Sequence, residues 1–371
     1  MARIKLPQLR PPPPAAGDVR EETRRQAIAG AVGLAALVGV LVLILCVVLG
    51  AAKGIQYTLD SISYGSIFAL LAMGLALLFG VMGLMNFAYG ELIMAGAYTM
   101  FFTRSWGWVG MIVMTIIVVT LLSLLMELIA FRPVRRASPV TLLITSFAVS
   151  YALQELAWTD VLGIAHRFGA TIGTGPQKGV EPYPWLTSQF SVGGVLISKL
   201  EITIWIVTVA ILLAMTVLLR RTLLGIQLRA STEDFRMAQL VGVRANWVIS
   251  AAFGITGLIA GVAAVLYIFR NGQVAPDIGQ GPLFVAFVGG VIGGLGSLPG
   301  AALGGFVLGV VINILNASLP FKLHSYALLF AFVAVIAIVV FQPEGLIAVR
   351  AGALQRLWRR FRKPAPEGAP A

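Results

Sequence analysis

Long apolar runs separated by short polar ones set the pattern of this chain. The first lies between Arg25 and Lys53, 27 residues without a charge, and nine more run about 58–83, 86–103, 107–131, 139–158, 201–220, 247–269, 282–298, 300–318 and 325–342. A bilayer core takes about 20 apolar residues per helix, because a backbone group left unsatisfied in hydrocarbon costs several kcal/mol. The runs therefore predict an all-α, polytopic helical membrane protein with about ten transmembrane or re-entrant helices, three of them short. The first run is too long for the apolar part of a cleavable signal peptide and reads as a span.

The polar stretches divide the chain further. Residues 1–26 carry Pro11 to Pro14 and mixed charge, a composition that cannot bury a core, and read as a disordered tail. Residues 27–57 form an extra N-terminal helix and an external turn, and 58–348 the membrane domain, with an external loop at 159–200 and a cytoplasmic loop at 220–246. In the tail at 349–371, Leu354, Leu357, Trp358 and Phe361 share one helical face and Arg356, Arg359, Arg360 and Lys363 the other. That pattern predicts a basic amphipathic helix lying on membrane lipid. In the external loop, Phe190, Val192, Val195 and Ile197 flank Gly193-Gly194 as a two-residue β-hairpin turn requires.

Composition agrees and excludes several functions. The chain is 58% hydrophobic and 11% charged, against roughly a quarter charged in a soluble domain. Its net charge of +12 is scattered between apolar runs instead of forming a nucleic-acid stripe. Of 27 Lys and Arg, 20 fall in the tails and alternate loops of one side, which makes that side, with both termini, cytoplasmic. One cysteine and two histidines leave no basis for a metal site or thiol chemistry. No G-x-x-x-x-G-K-[ST], G-x-S-x-G or H-E-x-x-H occurs, so the chain has no catalytic candidate and no cofactor motif and is not itself a P-loop ATPase. Asp60, Glu91, Glu127 and Glu155, in or at the ends of spans, have no intramembrane Lys, Arg or His beside them, which argues against a proton relay.

Three segments carry candidate chemistry. In GSIFALLAMGLALLFGVMGLMNFAYGELIMAGAY, from Gly65 to Tyr98, the polar Asn86, Tyr89 and Glu91 lie in an otherwise embedded stretch beside Gly80, Gly83 and Gly90. They either line a pathway at a broken helix or simply cap a short one, Asn86 through its side chain and Glu91 by favouring the positive N-terminal end. In GGVIGGLGSLPGAALGGFVLG, Gly296, Gly300 and Gly304 recur every four residues and predict a close helix contact, while Pro299 suggests a turn whose first-half partner is the Gly80 to Gly90 break. In the loop from Arg220 to Trp247, Ser231 or Thr232 is placed to cap a helix with Glu233 and Asp234 in its first turn and Met237, Leu240 and Val241 on one face, closed by Gly242. An exposed apolar face of this kind meets either the bilayer surface or a soluble protein.

GLALLFGVMGLMNFAYGELIMAGAY, RASTEDFRMAQLVGVRANWVI, VGGVIGGLGSLPGAALGGFVLG and the closing YALLF and QPEGL resemble, in order, the first of the two paired permease subunits of branched-chain amino acid ABC transporters. The resemblance covers about residues 58–348; Tyr89 stands where the family usually has His, and no basic residue stands at Leu283 to Val285. It implies an importer subunit of the bacterial inner membrane for branched-chain or other small amino acids. The implied partners are a second related permease subunit, two ATP-binding cassette ATPase subunits and an external substrate-binding protein. It also implies an ATPase-coupling element comprising Glu233, Asp234, Phe235, Ala238, Leu240 and Gly242. The alternatives are import of urea or short amides by the same mechanism, and an autonomous secondary transporter or channel.

The basic asymmetry makes a direct prediction. In a Cys46→Ala background, Gly175→Cys should react with an impermeant thiol reagent on intact cells and Gln239→Cys should not; the reverse labelling would overturn the orientation.

Overall fold

The structure, a computed structural model, describes residues 50–83, 86–135, 137–158, 180, 183–192, 195–233, 235–240, 242–318, 326, 329 and 333. Of the expected first span only residues 50–52 are described, and the expected turn that follows it is already helix from Ala51; of the last span, 325–342, only 326, 329 and 333 are described, and both tails and most of the external loop lie outside the described residues.

Among the described residues, the α-helices of six residues or more are α1 (Ala51–Met82), α2 (Gly90–Phe102), α3 (Gly107–Met126), α4 (Pro139–Leu156), α5 (Lys199–Arg221), α6 (Leu223–Glu233), α7 (Phe235–Leu240), α8 (Ala245–Asn271), α9 (Gln280–Gly293) and α10 (Leu298–Ser318). Among the described residues, six helical stretches, which coincide with or extend α1, α3, α4, α5, α8 and α10, are long and apolar enough to cross a membrane. With 13 and 14 residues, α2 and α9 reach only about 20 Å, less than a bilayer core. The polytopic helical reading therefore holds across the described residues. Strands β1 (Gln189–Val192) and β2 (Val195–Ser198) pair antiparallel in the expected register, Val192 opposite Val195. The Leu196 N–H donates to Gln56 Oε1 at 2.8 Å, fastening this hairpin to the start of α1.

From Gly65 to Leu78 α1 is buried on every side and apolar apart from Ser66, and it lies at the centre, as such helices must. Its neighbours reveal a repeat that the sequence did not display. α1 ends at Gly83 and α8 at Gly272, both left-handed at φ 68°, and each cap N–H closes on the carbonyl four residues back. In both halves a short helix comes next, starting at Gly90 and at Gln280, then a turn at a glycine with positive φ (Gly107, 78°; Gly294, 91°), then a long helix. The packing repeats as well: α1 lies on α10, and α8 on α3.

The two halves are inverted. Tyr64 Oη donates to Asn271 Oδ1 at one end of the α1–α8 contact, and Thr256 Oγ1 reaches the Gly74 carbonyl farther along, so α1 and α8 run antiparallel. Gly96 of α2 lies against Ala264, so α2 runs toward the Asn271 end of α8. Gly289 and Gly293 of α9 lie against Gly305 and Gly300 of α10, so α9 runs the opposite way, toward the Met82 end of α1. The break that answers residues 83–89 is therefore 272–279. The Pro299 pairing is a correction: the turn spans Gly294–Ser297, where the Ser297 N–H donates to the Gly294 carbonyl at 3.0 Å, and Pro299 is already in the first turn of α10, where a missing N–H costs nothing.

The glycine stripe is also corrected in part. Gly300 and Gly304 do form a close seam, with the Gly293 and Gly289 backbones where a Cβ would stand. Gly296 has nothing within 4 Å of a Cβ position and sits in the turn, because the helix starts after it. The other face of α10 uses Gly305 and Gly309, packed on Phe68 and Gly65 of α1. These contacts bring backbones together without large side chains, as membrane helices require in the absence of a hydrophobic drive between them.

Candidate functional site

The two breaks meet. Gly90, the first residue of α2, lies against Gly279, which precedes α9, closely enough that a Cβ on either would enter the other's backbone. From this point α2 runs to one side of the molecule and α9 to the other. The Tyr89 hydroxyl lies at Gly74 of α1, about 12 Å from the Met82 end of that helix and so near mid-depth. Two positive helix ends thus face each other inside the apolar span.

Asn86, Tyr89 and Glu91 all come to this junction, buried at 2%, 0% and 1% exposure. Asn86 is extended, and its Oδ1 accepts the Ala88 N–H at 3.0 Å, which starts the single turn Phe87–Tyr89 ahead of α2. Asn86 thus caps that turn, while α2 itself, preceded by Tyr89, has no side-chain cap. Glu91 Oε1 accepts from Ser150 Oγ at 2.8 Å and from Gln154 Nε2 at 2.7 Å, both on α4. Gln154 Oε1 in turn accepts from Gln280 Nε2 at 3.1 Å, so one hydrogen-bonded chain joins α2, α4 and the start of α9.

Capping leaves a remainder. Asn86 Nδ2, Tyr89 Oη and Glu91 Oε2 are buried without a hydrogen-bond partner among the described residues. Each such group costs about 1–3 kcal/mol, so three within six residues is a concentrated expense. Chemically they are an amide donor, a hydroxyl donor-acceptor and a carboxyl oxygen. A 710 Å³ cavity lies elsewhere, between α1, α5, α6 and α10, and is mostly apolar. Outward from the junction, Phe87 stacks on Phe147 at 4.3 Å, and Phe147, Tyr151, Phe284 and Gln280 are exposed on the α4–α9 side.

Ser150, Gln154 and Gln280 are the partners that the sequence did not single out. Their signal was faint: a Ser and a Gln four residues apart within an apolar span, and a Gln just before Gly281-Pro282.

One absence is overturned. Asp60 does have a cation, since Arg270 Nη2 lies 2.7 Å from its Oδ1, and Nη1 lies 3.4 Å from Glu201 Oε1. Arg270 belongs to the last turn of α8 and not to the following loop, and it is 210 residues from Asp60 in sequence. The cluster clasps α1, α5 and α8 at one end. Of the other acids, Glu127 Oε2 accepts from Ser250 Oγ at 2.9 Å.

The loop helix also differs from expectation. α6 is already running at Leu223, with Thr222 Oγ1 accepting the Gly225 N–H at 3.1 Å, so Ser231 lies inside the helix, buried, and does not cap it. Glu233 ends α6 and Phe235 begins α7; Asp234 is outside the described residues. Ala238 is buried, Met237 and Leu240 are 60% and 81% exposed, and Gly242 at φ 92° turns the chain so that the Val243 N–H reaches the Ala238 carbonyl at 3.0 Å.

A family model described as branched-chain amino acid transport system / permease component matches residues 57–339. The chain belongs to this permease family. The high-affinity branched-chain amino acid transport system permease protein BraD of Pseudomonas aeruginosa is 30% identical over 304 residues, 79% of this chain and 95% of that protein. LivH of Salmonella typhimurium, with the same description, is 30% identical over 312 residues, again 79% and 95%. The autoinducer 2 import system permease protein LsrC of Yersinia pestis is 27% identical over 161 residues, 42% of this chain and 45% of that protein. The permease is thus a multi-pass membrane protein whose relatives are transport permeases.

A double-mutant cycle tests the network. Glu91→Gln and Gln154→Leu, alone and together, should show a coupling of about 1 kcal/mol or more in unfolding of the purified permease. Strict additivity would mean that the two side chains do not bond.

Proposed function

We propose that the permease is the membrane-spanning subunit of an ATP-driven importer for branched-chain or other small amino acids, lying in a bacterial inner membrane with both termini in the cytoplasm. It forms half of the route, and a second related permease supplies the other half. ATP is hydrolysed on two ATP-binding cassette subunits, and an external binding protein delivers substrate.

The observation that carries this reading is the set of unpaired polar atoms where the two broken helices meet. A zwitterion crossing a membrane must exchange water for protein groups. Glu91 Oε2 is an acceptor for its ammonium, and Asn86 Nδ2, Tyr89 Oη and the two positive helix ends suit its carboxylate. The exposed α4–α9 side, where Gln280 brings the polar chain to the surface, suits the facing permease. Where the breaks meet, at Asn86, Ala88, Tyr89, Gly90 and Gly279, the chain is buried, so helices can shift about this point without exposing its N–H groups to lipid. On the cytoplasmic side, Met237 and Leu240 offer an apolar knob to the ATPase, and Gly242 fixes its angle. Movement of that knob is the means by which hydrolysis reaches the helices.

The test is reconstitution with the ATPase and binding protein. Leu240→Asp and Gly242→Pro should insert normally yet lose ATPase co-purification or uncouple hydrolysis from uptake, and the permease alone should hydrolyse no ATP. Full ATP-dependent uptake in both variants, or uptake that needs no ATPase, would point to an autonomous transporter.

A further inference from the structure

A second polar concavity lies far from the broken helices. A 480 Å³ pocket opens where the end of α3 meets the start of α8, lined by Arg132, Arg244, Asn246, Trp247 and Ser250. Arg244, Asn246 and Trp247 are exposed and Arg132 is half-buried. Neither arginine is in a salt bridge among the described residues. The acid found nearby is Glu127, buried behind Ser250 and engaged with its hydroxyl at 2.9 Å. Among the described residues two guanidinium groups thus stand near one carboxyl group, and Arg135, three residues past Arg132, has a buried Nη1 with no hydrogen-bond partner there.

The sequence builds the apolar half of the same site. Beyond Met126 the helix widens into a π turn, Glu127–Phe131, which turns Glu127 inward and leaves Ile129 70% exposed. Leu121, Leu125 and Leu128 are exposed as well, and together with Ile129 they make an apolar strip that leads along α3 to Arg132. Trp247, 54% exposed at the start of α8, is of the kind that settles at headgroup level. α8 has no side-chain cap, and the Trp247 and Val248 N–H groups donate to the Arg244 carbonyl, which leaves the N–H groups of Ala245 and Asn246 for an anion at the same end.

We propose that this pocket binds the headgroup of an anionic phospholipid of the inner leaflet, with its phosphate between Arg132 and Arg244 and an acyl chain along Leu121 to Ile129. A soluble anion would leave the apolar strip unused, whereas a phospholipid satisfies both halves. Basic pockets between membrane helices on the cytoplasmic side suit such headgroups. The leaflet assignment rests on the orientation proposed above; the chemistry of the pocket does not. Because Arg244 follows the Gly242 turn by two residues, a bound lipid fixes the exit of the coupling loop, so that anionic lipid content sets how firmly α7 is held.

Native mass spectrometry of the purified full chain tests this with phosphatidylglycerol and phosphatidylcholine of matched acyl chains. Phosphatidylglycerol should be retained in preference, and Arg132→Gln and Arg244→Gln should each weaken that retention about fivefold. Arg220→Gln, which removes the same charge elsewhere, should not. Arg244 is exposed, so its variant keeps the fold, which size-exclusion elution checks. Equal retention of the two lipids, unchanged retention in both pocket variants, or an equal loss in Arg220→Gln would overturn the proposal. Displacement by glycerol phosphate at matched concentration would assign a soluble phosphate ligand instead and also overturn it. Variants that keep phosphatidylglycerol but lose ATPase co-purification would make the pocket a protein-docking surface. Retention is read in detergent, so a reversed topology would remove the leaflet and leave the binding result standing.

Discussion

Backbone interrupted inside a membrane survives only where protein encloses it and its N–H groups find partners. In this permease two interruptions enclose each other, Gly90 against Gly279. Each is satisfied locally: Asn86 Oδ1 takes the Ala88 N–H at 3.0 Å, and the Gly279 carbonyl takes the Leu283 N–H at 3.0 Å. The short helices then diverge to opposite sides, and the rest of the fold packs around that junction. α1 and α8 run past it antiparallel, α10 and α3 back them, and α4 closes it with Ser150 and Gln154.

That constraint explains the glycines. A helix pair that must hold a broken backbone tightly cannot place side chains between the main chains, and so Gly289 to Gly305 and Gly65 to Gly309 are backbone contacts. It also explains the polar expense. Glu91 is half satisfied, with one oxygen bonded twice and the other free among the described residues. A purely structural cap would be expected to use both. Function therefore gives the simplest account of the unspent valences at Asn86, Tyr89 and Glu91.

Much of this was legible in the chain. The six long spans, the hairpin at Gly193-Gly194 and the first break at Asn86 to Glu91 all follow from apolar length, turn chemistry and misplaced polarity. The second break was hidden because the two halves share a shape and not their side chains: Asn-Phe-Ala-Tyr precedes Gly90, whereas Ala-Pro-Asp-Ile precedes Gly279. Long-range partners were hidden for a different reason. Nothing local ties Arg270 to Asp60 or Gln154 to Glu91, since both pairs exist only once the helices are laid together. Ser231 was misread as a cap because the run beginning at Leu223 is itself helical, which moves the start of the loop helix to Thr222.

The central claim is that the buried trio serves the substrate and not merely the fold. Uptake by the assembled transporter, normalised to membrane abundance, separates the two for Asn86→Ala and Glu91→Gln. A route through the junction predicts near-normal abundance with uptake per molecule down about tenfold or more, the worth of a hydrogen bond to a charged group. Unchanged uptake per molecule in both variants, with abundance alone reduced, would contradict it and leave these residues as caps.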